Sequence, residues 1–168
     1  MNLAEFVSGN IYVDVNIFYM FLRADSAYTP IIRQFLERMA NGDVRAYTSV
    51  LTLDELFYRL LLAQIKENYN QSPLDVLRTY THTAVTRYAP PVITALRQLM
   101  KLPHLHVVEV RPEDALKMLE NSSLGLLPRD ALHLAVMQRF TLNAIATDDT
   151  DFDHISGLQR YGVLHAEN

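Results

Sequence analysis

Apolar and polar residues change period several times along the chain. Ile11-Tyr12-Val13 is a β-branched and aromatic run that stops at Asp14, which predicts a short buried strand. From Pro30 the positions Ile31, Ile32, Phe35, Leu36 and Met39 fall on one helical face. Asn41-Gly42 then ends that helix with residues that accept a left-handed backbone. Val44 to Tyr47 predicts a second strand, and Thr52 to about Asn68 a long helix with the stripe Leu53, Leu56, Phe57, Leu60 and Leu61. Residues 68–91 are more polar and are punctuated by Pro73 and Pro90-Pro91, so they are expected to form an added helical excursion. Val92, Ile93, Leu96, Leu99 and Met100 mark one more helix before Pro103. His106 to Val110 predicts a third strand, and Pro112 and Pro128 each open a helix, where a missing N–H costs nothing. Ala144-Ile145-Ala146 is a fourth strand and Val163-Leu164 a short fifth. Strands alternating with helices predict an α/β fold: a three-layer α/β/α sandwich around a central parallel sheet of four to five strands.

Composition narrows the class. A chain of 168 residues, 49% hydrophobic and 20% charged, fits one globular domain over 1–168 and excludes disorder and collagen-like repeats. The absence of cysteine removes disulfide frameworks, thiolate zinc sites and cysteine nucleophiles together, and fits a reducing compartment. The segment MNLAEFVSGN has no basic and no long apolar stretch, so no signal peptide is expected. No apolar run approaches the roughly 18 residues of a membrane span, so the expected location is cytoplasmic.

The acids carry the chemistry. In open parallel sheets ligands bind beyond the carboxyl ends of the strands. Asp14 ends the first strand, Asp149 and Asp151 follow the fourth, Glu55 lies near the start of the helix after the second, and Asp130 near the start of the helix before the fourth. Asp130 reaches that edge only if its helix begins there, which makes it the weakest topological link. Each acid also has an ordinary structural explanation. Asp14 can cap a helix, Thr52-Leu53-Asp54-Glu55 matches a capping box, Asp130 suits a helix dipole, and Asp149 and Asp151 suit a turn. Taken together these explanations weaken: two carboxylates about 5 Å apart at an effective dielectric near 20 repel by roughly 3 kcal/mol. A hard divalent cation, magnesium or manganese, resolves that repulsion best. Calcium in an EF-hand is excluded, because His154 stands at the glycine position and Arg160 at the closing glutamate. Net charge is −4, but setting those five acids aside leaves 15 basic against 14 acidic residues, so the total neither supports nor opposes RNA.

Val13-Asp14-Val15-Asn16, the segment from Thr48-Ser49 to Glu55-Leu56, Asp130-Ala131-Leu132-His133-Leu134-Ala135 and Ala146-Thr147-Asp148-Asp149-Thr150-Asp151-Phe152 together resemble the PIN-domain nucleases in order and spacing, over about residues 10–165. The resemblance implies a PIN-like sandwich and magnesium- or manganese-dependent cleavage of RNA. It is similar to the toxin halves of toxin–antitoxin pairs, which dimerise and are silenced by a small antitoxin protein. By this resemblance Asp14, Glu55 and Asp130 match the three most regular acids, and Asp149 is favoured over Asp151 as the fourth. Asp14, Glu55, Asp130 and Asp149 would hold metal, while Asn16, Thr48 and Ser49 would orient a carboxylate or a metal-bound water. The excursion departs from compact relatives. Lys66 before it, and Arg78 and Arg87 on it, offer cations to RNA phosphates, with tyrosines interleaved, although a solvated helix with its tyrosines packed inward explains the same residues slightly better. His133 is expected as a packed histidine on the face of Asp130.

Three rivals remain. A haloacid-dehalogenase-like phosphohydrolase wants a general acid where Asn16 stands. A receiver-type module wants an acidic pair and a late lysine, and no lysine follows Lys117. A non-catalytic PIN-like module binding RNA or protein is opposed by the retained acids.

Overall fold

Neighbouring residues of the first strand pack into different apolar layers. In β1 (Gly9–Val13) Ile11 and Val13 join one core cluster, while Tyr12 between them joins another. Alternation with both sets buried is what a strand covered on both faces requires. The computed structural model, which describes residues 1–23, 29–69 and 71–163, extends this into a five-stranded parallel sheet. The other strands are β2 (Val44–Ser49), β3 (Leu105–Val108), β4 (Ala144–Ala146) and β5 (Gln159–Tyr161), in the order β3-β2-β1-β4-β5. Tyr12 stands opposite Tyr47 on one side and Ile145 on the other.

From β1 the chain steps outward to β2 and β3, then returns to build β4 and β5 on the other side. Right-handed crossovers therefore send the helices to opposite faces. α1 (Val15–Leu22), α2 (Thr29–Asn41), α3 (Val50–Asn68) and α4 (Pro73–Leu99) bury Phe18, Phe35, Leu56 and Leu96 against one face. α6 (Pro128–Arg139), paired with α5 (Pro112–Ser122), buries Leu134 and Met137 against the other. The direction reverses between β1 and β4, and that is where an open parallel sheet leaves a crevice at its carboxyl edge.

The α5–α6 hairpin brings Asp130 to this edge. Arg139, at the end of α6, makes a two-pronged bond to Asp114 near the start of α5, both at 2.9 Å. Asn121, near the end of α5, donates to the Ala131 carbonyl near the start of α6 at 3.1 Å. The helices thus run antiparallel, and the first turn of α6 returns to where β1 and β4 end.

Two expectations change, and one element escapes the pattern. The polar excursion and the helix after it are one helix, α4, bent where Tyr80 leaves helical geometry (φ −131°, ψ 38°). Pro90-Pro91 lies inside it rather than breaking it: Tyr88, Ala89, Val92 and Leu96 are buried around the pair, so packing overrides the lost backbone bonds. The fifth strand is Gln159–Tyr161, which begins four residues before the expected Val163-Leu164 pair, because an edge strand pairing only with β4 needs just one buried face. Leu164 lies outside the described residues. Finally, α1 has apolar residues nearly all round, so no polar stripe announces it.

Candidate active site

Asp14 combines the structural and the chemical reading. It caps α1 with Oδ1 on the Val15 N–H at 2.6 Å, and its Oδ2 accepts from Asn16 Nδ2 at 3.0 Å and Thr147 Oγ1 at 2.8 Å. It is only 8% exposed, and burial raises its pKa above the ordinary aspartate value despite those donors. Thr147 is fully buried and uses its hydroxyl completely, donating to Asp14 while accepting from Asn16 Nδ2 at 2.7 Å and the Asp149 N–H at 3.1 Å.

Asp130, Asp149 and Asp151 converge. Each offers a carboxylate oxygen, and the three atoms lie within 4.8 Å of one another, the spacing of a shared cation. Burial, followed by the charges of Asp149, Asp14, Asp151 and Glu55, pushes Asp130 up to about 6. The other four predicted acids therefore all act on this one carboxyl. Among the described residues no arginine or lysine nitrogen pairs with Asp14, Asp130, Asp149 or Asp151. Hard oxygen donors, mutual repulsion and no directly paired counter-charge suit a divalent cation. Asp149 Oδ1 also accepts from the Asp151 N–H at 2.9 Å, which fixes the two relative to one another.

Glu55 stands apart. Its Oε1 faces Arg129 at 3.6 Å and Arg59 at 3.9 Å, so it already has cationic neighbours. The capping box read at Thr52–Glu55 is not formed: Ser49 is the cap of α3, accepting from the Thr52 N–H.

Of the expected orienting residues, Asn16 bridges Asp14 and Thr147. Thr48 instead donates to the Val13 carbonyl at 2.9 Å, and Ser49 accepts from Tyr12 Oη at 2.9 Å; neither hydroxyl reaches a carboxylate. Their sequence position at the end of β2 is right, but the pleat turns them inward. Thr147 does that work, and its place directly after β4, two residues before Asp149, is the signal that identifies it. Tyr12 Oη also meets His133 Nδ1 at 2.8 Å, and burial pushes His133 down to about 4, so this histidine is a neutral core residue beneath the site. Lys66 borders a groove with Arg59, whereas Arg78 lines a separate hollow with Tyr58 and Arg87 lies over the Tyr88 ring at 5.4 Å.

The PIN domain family model matches residues 11–158, and the chain belongs to this family. Solved structures agree in fold. VapBC2 from Rickettsia felis, bound to a DNA fragment from its promoter, has a TM-score of 0.59 at 14% identity, covering 92% of this chain and 98% of that one. A toxin–antitoxin complex from Klebsiella pneumoniae has a TM-score of 0.55 at 18% identity over 88% and 94% of the two chains. VapC20 of Mycobacterium tuberculosis, a sarcin–ricin loop cleaving toxin, has a TM-score of 0.53 at 18% identity over 85% and 92%. No curated protein matches the chain by sequence. No helix among the described residues is long and apolar enough to cross a membrane.

Proposed function

We propose that this PIN-domain protein is a divalent-metal-dependent endoribonuclease acting as the toxin of a cytoplasmic toxin–antitoxin pair, working as a homodimer and silenced by a small protein partner. The observation that supports this most is the convergence of Asp130, Asp149 and Asp151 within 4.8 Å with no cation paired to them. These three would hold magnesium or manganese, with Asp14 and Glu55 completing the anionic edge. A bound ion would supply an activated water and would neutralise charge building on the phosphoryl group.

The chain's own residues do the rest. Thr147 and Asn16 hold Asp14 in one orientation, so its charge stays aimed at the edge. The turn at Asp149 and Asp151 is pinned by two backbone N–H groups, Asp149 donating to Thr147 Oγ1 and Asp151 to Asp149 Oδ1. His133, neutral and bonded to Tyr12, supplies support from below rather than a proton. Toxin–antitoxin relatives of the same fold support the partner assignment.

The test is cleavage of a fluorescent single-stranded RNA with manganese or magnesium, beside a DNA strand of the same sequence. Cutting of RNA that stops with EDTA and with Asp14→Asn is expected. A well-folded parent that binds manganese yet leaves RNA intact would instead favour the non-catalytic binding module.

A further inference from the structure

Glu55 is the one acid of the five in direct ion-pair contact with arginines among the described residues. Arg59 comes from the next turn of α3, and Arg129 from the first turn of α6, immediately before Asp130. Both contacts, at 3.9 and 3.6 Å, are long beside the 2.9 Å pair of Arg139 and Asp114 or the 2.6 Å pair of Arg160 and Asp153. The two side chains are 45% and 60% exposed. Long, solvated pairs of this kind add little to stability, so fold maintenance does not account for them.

Their surroundings do. Arg129 borders a hollow of about 430 Å³ with Glu55, Leu127 and Asp130. Arg59 borders a different groove of about 780 Å³ with Tyr19, Arg23 and Lys66, and its guanidinium lies over the Tyr19 ring at 5.8 Å. A cluster of carboxylates repels a polyanion, so a strand can settle on it only where cations stand close by. Arginine meets phosphate oxygens in a two-pronged geometry, and an aromatic face such as Tyr19 accepts a base by stacking. Arg78 and Arg87 border neither depression.

Building on the nuclease reading above, we propose that Arg59 and Arg129 are the substrate-positioning residues of this site, binding the RNA phosphates that flank the scissile one. Both guanidinium groups rest on Glu55 through long, solvent-exposed contacts, which a phosphate can displace at little cost.

The experiment uses Arg59→Gln and Arg129→Gln with manganese and a single-stranded RNA of mixed sequence. Each should raise KM by about 5- to 30-fold while leaving kcat within about threefold, since a bidentate charged contact is lost without touching the reacting atoms. The slope of log(kcat/KM) against log salt should become shallower by roughly 0.7 per arginine removed. Manganese affinity, measured calorimetrically without RNA, should stay within about threefold of the parent, because neither arginine touches the three aspartates that would hold the ion. Unchanged KM and salt slope in a parent that does cut RNA would overturn this inference alone. Manganese binding weakened tenfold would overturn it too, by making the arginines supports of the metal site. A parent that cuts no RNA overturns the nuclease reading along with it.

Discussion

Thr147 donates its hydroxyl to Asp14 Oδ2 at 2.8 Å across a separation of 133 residues, locking the end of β4 to the end of β1. Both partners are buried, so the bond cannot be replaced by bulk water. Thr147→Val keeps the shape and removes the donor, leaving Oδ2 to Asn16. Loss of such an orienting bond typically lowers metal affinity or activity by about 10- to 100-fold, and the fold should lose about 1–3 kcal/mol. Thr147→Ser should retain most of both. Manganese titration, RNA cleavage and urea denaturation read the three effects, and a valine variant with parental metal affinity and rate would remove Thr147 from the site.

Asp130→Asn tests the crowding of the acids. In the folded protein its pKa is about 6 against 3.8 for the ordinary group, so ionising it opposes folding. The sign follows: this contribution is absent below about pH 4, grows between 4 and 6, and is constant above. Without metal at pH 7 the asparagine variant should be more stable than the parent by about 1–2 kcal/mol after discounting for solvent screening. Below pH 4 that electrostatic difference should vanish. Manganese should raise the melting temperature of the parent and scarcely move the variant. Urea melts in EDTA at pH 4 and 7 check the first effect and thermal melts the second; a variant less stable than the parent at neutral pH would contradict the electrostatic account.

Most of the sheet was legible because its strands end on chemistry: Val13 before Asp14 and Ala146 before Thr147 pair a buried run with a polar stop. The positions of Asp14 and Asp149 beside those strand ends were legible for the same reason. What the pattern did not convey is direction inside the sheet edge. Thr48 and Ser49 lie at the right end of β2, yet their hydroxyls turn to Val13 and Tyr12, and only the pleat decides that. The reach of Asp130 depended on the α5–α6 hairpin, held by Arg139 on Asp114, a contact between residues 25 apart that no local period encodes. The two prolines in α4 misled for a third reason: Tyr88, Val92 and Leu96 gain more from the core than the helix loses at Pro90-Pro91.

His133 gives the opposite pH signature from Asp130. Burial holds its pKa at about 4, against 6.5 for the ordinary group, so the unfolded chain takes up a proton first. Its neutral form therefore contributes stability above pH 6.5, which is lost progressively as pH falls toward 4. Between pH 7 and 5 the expected loss is about 2 kcal/mol. His133→Gln should show a shallower decline over that interval, at the cost of lower stability at pH 7 because Tyr12 Oη loses its ring partner. Denaturation at pH 7, 6 and 5 in EDTA checks the difference in slope. Parallel curves for parent and variant would mean that His133 does not titrate differently on folding.

Gly162 probes the support behind the acidic turn. A Cβ there would lie 2.5 Å from Asp148 Oδ1 and 3.3 Å from the Thr147 carbonyl, and Asp148 Oδ1 already accepts the Val163 N–H at 2.7 Å. Gly162→Ala must push the segment after β4, the same segment that carries Asp149 and Asp151. Overpacking of this sort costs about 1–3 kcal/mol, and here it should also weaken manganese binding and slow cleavage. Gly157→Ala is the control. Its φ of +79° strains an alanine, but nothing lies within 4 Å of the added carbon. It should cost about 1–2 kcal/mol from the backbone alone, with metal affinity unchanged. Thermal melts with and without manganese separate the two, and equal effects on metal binding would show that the close approach at Gly162 does not govern the position of the acids.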